Sequence, residues 1–433
     1  MRVGPHLIDI NVMHERKQPG AQIAVRLPQV EFHKGPFEGV LHQIVGTPTI
    51  PRQRARVRVE QQLVRVETVS RRWIVWSMHP IAVHGGRPDA RNVAVPDLVR
   101  VLREFDACNL ALARGAELVI VAPATANLLA RMAAGIADDL AATLLLATTA
   151  PVLVAPAMNP RMWSHAATRA NVEMLRSRGA HLVGPDEGEL ACGTVGPGRL
   201  ADTEKIVEMA RILLEEKILA GKRVVVGAGP TAEDIDPVRF LTNRSSGKMG
   251  FAMAVAARRF GADVTLVAGP TRLPDPPFVK TVRVRSAKEM MGAVTKAAQT
   301  ADAVVMAAAV ADFRPESAAS QKIKKETFDG RIPLVPTEDI LASLGRSRGN
   351  RVLVGFAAET NDLEGNAVDK MRRKNLDAIV ANDVSRPDIG FESDSNEVRV
   401  YFTDGTALDL AMAAKDAIAS AVWRAVCRKF LPG

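Results

Sequence analysis

Cysteine is nearly absent. Cys108, Cys192 and Cys427 are the only three among 433 residues. Thiols so few and so far apart give neither a disulfide framework nor the paired spacing of a zinc site. Their scarcity fits a reducing compartment, so a cytoplasmic location is expected. Long apolar runs are also missing. No stretch reaches the ~18 residues of a membrane-spanning helix, and the opening MRVGPHLIDINVMHERKQPG lacks the apolar centre of a secretory signal. No membrane association is therefore expected. Aromatic residues make up only 4% of the chain, and no aromatic stacking motif accompanies the basic residues. Nucleic acid is accordingly not expected as a partner.

What is present is ordinary for a soluble globular chain: 47% hydrophobic and 24% charged residues. The length allows two or three domains, each with its own core. The charge is unevenly spread. Residues 1–104 carry 16 Lys and Arg against 9 Asp and Glu, whereas the rest carry 41 against 39. Six of the eight histidines also lie before residue 105. In that first segment Val57, Val59, Val64 and Val66 alternate with polar residues and could form strands. The remainder is rich in Pro, Arg, His and Gln without regular periodicity.

From about residue 105 the pattern becomes strand–helix alternation. Apolar runs at 117–122 and 151–155 read as buried parallel strands, and 181–184 as a third. Helices are expected from Leu128 and over 166–178, with a helix and linker over 203–219. A second unit starts at Lys222. Its strands are expected at 222–227, 263–268, 302–308, 351–356 and 377–381, with helices near 248–260, 287–300, 337–346, 362–374 and 408–428. Glu397 to Phe402 followed by Asp404-Gly405 suggests a hairpin. The fold class expected is α/β: two units with mostly parallel sheets, the first incomplete at its N-terminus. The boundaries expected are an atypical segment over 1–104, a first domain over 105–218 and a second over 219–433.

Residues 236–250, DPVRFLTNRSSGKMG, form a small polar loop between a strand and a helix. Backbone N–H groups and a helix N-terminus there can face an anion, and Lys and Arg add charge. The loop is not a P-loop: Thr242 and Met249 stand where that motif needs Gly and Ser or Thr. Gly227 and Gly229 make a poor dinucleotide fingerprint, because Pro230 removes an N–H where a pyrophosphate would need one.

Other positions carry candidate chemistry. Cys192 lies in a stretch rich in Gly and Pro, which reads as a loop; it is either an inert small residue or a proton donor or nucleophile. Thr125, Asn127 and Asn159 stand at strand ends, where ligands of parallel sheets collect. The acids of GIADDL (135–140) either approach a ligand or cap a helix. Lys322, Lys324 and Lys325 follow a strand end, so they face either phosphate or solvent. Lys370 and Lys374, four apart on one helical face, clamp a polyphosphate or are merely exposed. Asp312 is a candidate to assist a magnesium ion that bridges phosphates.

APATAN, GIADDL, APAMNPRMW, GPDEGELACG, DPVRFLTNRSSGKMG, AAAVADFRP, KIKK, GFAAETN and ANDV occur in one order over residues 105–425. Together they resemble the family that joins a phosphopantothenoylcysteine decarboxylase to a phosphopantothenate–cysteine ligase in coenzyme A biosynthesis. The resemblance implies a flavoprotein decarboxylase-like Rossmann-type unit followed by a Rossmann-like ligase unit. In the ligase, CTP and 4′-phosphopantothenate form an acyl-cytidylate and pyrophosphate, and the cysteine amine then attacks the acyl carbon. It implies Asn243 and Lys322 at the acyl-cytidylate. Ala308, Asp312, the turn of Glu338, Asp339, Ile340 and Leu341, Phe356, Lys370 and Lys374 would lie at the nucleotide, with Mg2+ and no assigned metal ligand. In the decarboxylase it implies FMN as cofactor, Thr125 near the flavin phosphate, Asn159 and Met162 at the substrate, and Cys192 as proton donor. Oxidation of the cysteinyl thiol end to a thioaldehyde lets carbon dioxide leave. A homo-oligomer is implied, the ligase dimerising to complete its site.

The chain departs from that pattern at its start. The family's GGIAAYK-like flavin loop and VTPLTF-like segment do not occur in residues 1–104, and Asn109 stands where a GHIxLAR-like motif places a histidine. Ala232 and Gly227 replace the Arg and Thr of many relatives. Residues 1–104 therefore read as a divergent domain, a degenerate remnant or a stretch translated out of frame. The alternatives to the two-activity enzyme are a ligase with a decayed first domain and a non-catalytic flavin- or nucleotide-binding regulator.

Overall fold

The computed structural model describes residues 113–190, 193–325, 328, 330–359, 362–383 and 392–431, together with three earlier strands. The chain divides into two compact units, Met1–Leu214 and Glu215–Gly433.

The first unit is built on one sheet. Its strands are β1 (Gln22–Arg26), β2 (Gln61–Leu63), β3 (Trp73–Met78), β4 (Leu118–Ala124), β5 (Val152–Pro156) and β6 (His181–Leu182), in the order β2-β3-β1-β4-β5-β6. β4, β5 and β6 are parallel, as their apolar runs predict. β1 joins the edge antiparallel to β4, so the sheet continues into the atypical segment. Val57, Val59, Val64, Val66, Cys108 and Asn109 lie outside the described residues.

The helices of this unit are α1 (Ala126–Ala134), α2 (Leu140–Ala147), α3 (Pro160–Ser164), α4 (Ala166–Ser177) and α5 (Thr203–Leu214). Strand alternation decides what each face covers. Leu118, Ile120 and Leu153 pack with Ile206 and Ala210 of α5. Val121 and Val154 pack with Leu128 and Leu129 of α1 and Val172 and Leu175 of α4. The glycine-rich stretch expected to be a loop is an antiparallel ribbon, β7 (Asp186–Glu189) with β8 (Val195–Arg199). Cys192 lies between its strands, outside the described residues.

The second unit holds a sheet of eight strands: β9 (Arg223–Ala228), β12 (Asp263–Ala268), β13 (Lys280–Arg283), β14 (Ala303–Met306), β17 (Val352–Glu359), β18 (Ala378–Asp383), β19 (Ser395–Phe402) and β20 (Ala407–Ala414). The order is β13-β12-β9-β14-β17-β18-β19-β20, parallel until β19 and β20, which close it antiparallel. The order reverses between β9 and β14, the crevice where ligands of such sheets bind. Two ribbons, β10 (Ala232–Asp234) with β11 (Phe240–Thr242) and β15 (Phe313–Pro315) with β16 (Leu334–Pro336), arise from the segments after β9 and β14.

Helices α6 (Lys248–Arg259) and α10 (Lys415–Phe430) cover one face. There Trp423 is fully buried and donates its indole N–H to the Met253 carbonyl at 2.9 Å. Helices α7 (Ala287–Ala298), α8 (Ile340–Arg346) and α9 (Leu363–Arg373) cover the other. The final helix does not run over 408–428 as its composition suggests: residues 407–414 pair with β19 as a strand, and α10 begins only at Lys415. Ala, Leu and Met favour helix weakly, and closure of the hairpin over Gly405, whose φ is 81°, overrides that preference.

Candidate functional site

In the second unit the loops at the switch point are tied together by short polar side chains. Pro230 bridges Ala309 in parallel, extending β9 toward the chain that leaves β14. The buried Thr231 hydroxyl accepts from the Ala311 N–H at 3.0 Å, and its carbonyl accepts from the Thr242 hydroxyl at 2.6 Å. Thr337 donates through its N–H to the Asp312 carbonyl at 3.0 Å. Asn243 donates through Nδ2 to the Val310 carbonyl at 2.9 Å, so its side chain is fixed beside Ala311 and Asp312.

Asp236 makes a longer tether. Its buried carboxylate accepts from the N–H groups of Val238 and Arg239, both at 2.8 Å, and from that of Ile323 at 3.1 Å. Arg239 pairs with the same carboxylate at 3.2 Å and donates to the Ile323 carbonyl. Burial pushes the Asp236 carboxyl up, but the three N–H groups and Arg239 outweigh it and hold it below the ordinary value. DPVR and KIKK, 80 or more positions apart in sequence, are thereby joined, and Lys322, exposed, stands next to the joint. The sequence gives a signal for this: an Asp two and three positions ahead of the N–H groups it accepts from is an Asx-type turn.

The remaining predicted nucleotide positions fall after β14, within β17, at the start of α8 and along the last turn of α9. Ala308 is half-buried and Asp312 exposed. Asp339 caps α8, accepting from the Ala342 N–H at 2.9 Å, and pairs with Lys374 at 2.9 Å. Burial raises the Asp339 carboxyl, yet the Ala342 N–H, Lys374 and Lys370 draw it below the usual range. Lys370 donates to the Phe356 carbonyl at 2.9 Å, so both lysines of that helical face converge on this region. Glu338 is exposed. Ile340 and Leu341, by contrast, are core residues that pack with Leu344 and Leu353; only their backbone can meet a ligand.

In the first unit Thr125 caps α1, accepting from the Leu128 N–H at 3.2 Å, immediately beyond β4. Asn159 caps α3 beyond β5, accepting from the Arg161 N–H at 2.9 Å, and Met162 is 48% exposed one turn further on. These hydroxyl and amide groups stand at adjacent strand ends, where ligands of parallel sheets bind. The acids of GIADDL take their structural alternative: Asp139 caps α2, and Asp138 and Asp139 both pair with Arg131 at 2.6 Å.

The β7–β8 ribbon lies directly on the Asn159 turn. The Met158 N–H donates to the Gly198 carbonyl at 3.0 Å. A Cβ at Gly198, whose φ is 139°, would fall 2.2 Å from the Met158 carbonyl oxygen, so only glycine permits this approach. At the ribbon's base Asp186 accepts from Lys205 at 2.9 and 3.0 Å and from the Asp202 N–H at 3.2 Å. Burial raises the Asp186 carboxyl, but Lys205, the Asp202 N–H and Arg199 keep it below its ordinary value.

Two family models match the chain: Flavoprotein over residues 80–214, and the DNA/pantothenate metabolism flavoprotein C-terminal domain over 219–430. The coenzyme A biosynthesis bifunctional protein CoaBC of Vibrio cholerae serotype O1 is 50% identical over 317 residues, 72% of this chain and 79% of that protein. The chain belongs to the family of coenzyme A biosynthesis bifunctional proteins. Members of this family are enzymes with a decarboxylase half and a ligase half. A cysteine/cysteine sulfinic acid decarboxylase from an unknown prokaryotic organism is 44% identical over 317 residues, 72% of this chain and 88% of that one. A solved C-terminal domain of a coenzyme A biosynthesis bifunctional protein CoaBC is 42% identical, with a TM-score of 0.43, and is matched over 49% of this chain and 97% of that one. In this bifunctional protein the flavoprotein match begins at residue 80, ahead of the residue-105 boundary that motifs alone suggest.

Lys248, the lysine of KMG that can add charge at an anion, donates to the Glu392 carbonyl at 2.6 Å and pairs with Asp394 at 2.7 Å. Among the described residues no cluster of three His, Cys, Asp or Glu side chains is arranged to hold a metal ion. Nor, among them, is any helix long and apolar enough to cross a membrane.

Proposed function

We propose that this enzyme ligates cysteine to 4′-phosphopantothenate with CTP in its second unit and decarboxylates the resulting 4′-phosphopantothenoylcysteine to 4′-phosphopantetheine in its first. The observation that carries the ligase reading is the Asp236–Arg239–Ile323 tether. It joins the loop that carries Asn243 to the loop that carries Lys322, which supports a shared role for the two residues. The substrate carboxylate attacks the α-phosphorus of CTP and pyrophosphate leaves. Asn243 and Lys322 flank the acyl-cytidylate so formed, and the lysine offsets charge developing on phosphorus. The cysteine amine then attacks the acyl carbon and CMP departs. Ala308, Asp312, Phe356, Lys370, Lys374 and the Glu338–Leu341 turn hold the nucleotide. Mg2+, when bound, would be held mainly by the nucleotide's phosphates and would need few protein carboxylates, with Asp312 the candidate among them.

In the first unit FMN, when bound, supplies the two-electron oxidation and return that decarboxylation at the cysteinyl end requires. Thr125 holds the flavin near its phosphate, Asn159 and Met162 orient the substrate, and Cys192 delivers a proton. We take residues 105–218 and 219–433 as the functional halves, preceded by the atypical segment 1–104. We further propose a cytoplasmic homo-oligomer acting on small molecules. Support for assembly comes from the two ribbons of the second unit, on which Val238, Phe240, Phe313 and Leu334 are 59%, 50%, 51% and 49% exposed.

A second reading, a working ligase with a silent first unit, is favoured by Asn109, because an amide at a position where the family pattern has histidine cannot act as a general base. Purified protein given 4′-phosphopantothenate, CTP, Mg2+ and cysteine separates the two. Pyrophosphate, cysteine adduct and carbon dioxide together with flavin absorbance are the expected result. Adduct without carbon dioxide or flavin selects the second reading. Neither adduct nor pyrophosphate overturns both.

A further inference from the structure

Two helices of the second unit begin with lysine. Lys248 is the first residue of α6 and Lys415 the first of α10. A cation at a helix N-terminus opposes the helix dipole, so neither is placed there for its helix. Both side chains reach the same turn, residues 392–394. The Glu392 carbonyl accepts from Lys248 Nζ, the Ser393 carbonyl from Lys415 Nζ, and the Asp394 carbonyl from the Lys415 N–H at 3.0 Å. Three successive carbonyls of one turn are thus taken by two lysines. Lys248 also pairs with the Asp394 carboxylate, and Lys415 is only 7% exposed. Next along the chain, Asn396, 4% exposed, sets its amide against the Met249 sulfur at 4.0 Å.

The other side of this joint is the NRSSG loop. The Gly247 N–H is held by the Ser245 hydroxyl at 3.2 Å and the Lys248 N–H by that of Ser246 at 3.4 Å. Gly247, with φ of 78°, packs so closely on Thr271 and Gly229 that a Cβ would lie 2.8 Å from the Thr271 methyl. Asn243 is four residues upstream of that glycine. A shift of Lys248 therefore reaches the Asn243 loop through a short, closely packed segment.

We propose that Lys248 is a positioning residue of the ligase. With Lys415 it braces the 392–394 turn against the start of α6, and so fixes the backbone from Asn243 to Gly247 rather than binding the substrate's phosphate. The inference rests on the ligase reading above. An exposed ion pair contributes little by itself. The brace works because Lys248 serves the Glu392 carbonyl as well as Asp394, and because its neighbour Lys415 is buried.

The test uses the full chain and its Lys248→Met, Asp394→Ala, double and Lys248→Arg variants. Pyrophosphate release gives kcat and KM, and amide exchange over residues 245–250 is read without substrates. The brace predicts that Lys248→Met lowers kcat about tenfold, leaves KM for 4′-phosphopantothenate and CTP within about twofold, and speeds exchange at 245–250. Asp394→Ala gives a smaller change of the same kind, and the double variant is no worse than Lys248→Met, because both residues act through one contact. Lys248→Arg keeps the pair and restores most of kcat. A rise of about tenfold or more in KM for 4′-phosphopantothenate, with exchange unchanged, would make Lys248 an anion ligand and overturn the proposal. Should Lys248→Met not fold, Asp394→Ala, which removes an exposed carboxylate, carries the same readouts. If the unaltered protein releases no pyrophosphate, the ligase reading fails, and unchanged exchange in the variants would then sink the brace separately.

Discussion

The two units hold their working loops by different means. In the second, buried or half-buried charges reach across to backbone groups: Asp236 takes the N–H groups of Val238, Arg239 and Ile323, and Lys248 and Lys415 take the carbonyls of a single turn. In the first, backbone meets backbone. The Met158 N–H bonds the Gly198 carbonyl with no side chain between them, and at this ribbon charge enters at the base, through Asp186, Lys205 and Arg199. Both serve the same need, to fix irregular chain at strand ends where no sheet ladder reaches. They differ in tolerance. A charged tether can be weakened by degrees, whereas a glycine contact is lost with one added methyl.

That difference predicts the largest effect at Gly198. In Gly198→Ala the new Cβ must clear the Met158 carbonyl oxygen, now 2.2 Å from its place, so the ribbon lifts from the Asn159 turn. Carbon dioxide release should fall about a hundredfold while pyrophosphate release stays near its original rate. Equal loss of both activities would show that the two ways of holding loops are not independent. An undiminished decarboxylation would remove the ribbon from the site.

Asp236→Asn tests the charged tether. The amide keeps the shape but cannot accept from three N–H groups and Arg239 as a carboxylate does, so ligation should slow about tenfold. The pH behaviour has a definite sign. The folded carboxyl lies below its ordinary 3.8, so the tether's contribution is complete above that value and is lost as pH falls through the folded one. Pyrophosphate release should therefore show no loss from this group between neutrality and about pH 5. A Lys322-dependent rate that survives in Asp236→Asn would break the link between the two loops.

Much of this was legible beforehand, and the parts that were not share a cause. The parallel strands β4, β5, β9, β12 and β14 announce themselves because burial on both faces demands continuous apolar runs such as Leu118 to Val121. The hairpin turn at Asp404-Gly405 is readable from local chemistry. Residues 407–414 mislead, since ALDLAMAA has helical composition and its partner, β19, decides otherwise. The β7–β8 ribbon is hidden because its glycines pair through backbone alone and leave no side-chain period to detect. At the candidate site, motif residues such as Asn243 and Asp339 could be named, but their tethers are contacts between distant loops. Lys248 is another case: its contacts run to a turn 144 and 146 positions away, which no local pattern shows.

Lys205→Met weakens the charged base of the ribbon without touching Gly198. The pair is half exposed, so the cost should be modest, about 0.2–1 kcal/mol. Its direction with pH is the sharper measure. Asp186 is held below its ordinary 3.8, and its stabilisation is present above that value and lost on acidification. Without Lys205 the folded carboxyl moves up, so acid unfolding of the first unit, followed by circular dichroism, should begin at higher pH. A midpoint that does not move would show that Lys205 adds nothing to the ribbon's attachment beyond the Asp202 N–H, Arg199 and the backbone contact at Gly198.

The smallest effect is expected at Lys374, where the charged style of the second unit meets the proposed nucleotide site. Lys374→Met removes the ion pair with Asp339, but Asp339 still caps α8 through the Ala342 N–H, and Lys370 still holds the Phe356 carbonyl. The helix should therefore stay in place and the melting temperature should hardly change. On the proposed reading, what is lost is one partly exposed cation near the triphosphate. KM for CTP should rise about threefold at unchanged kcat, and the rise should shrink as salt is added. A large fall in melting temperature with KM unaltered would mean that Lys374 is part of the scaffold, and that the charge at this end of the sheet is there to fold the loops rather than to meet the nucleotide.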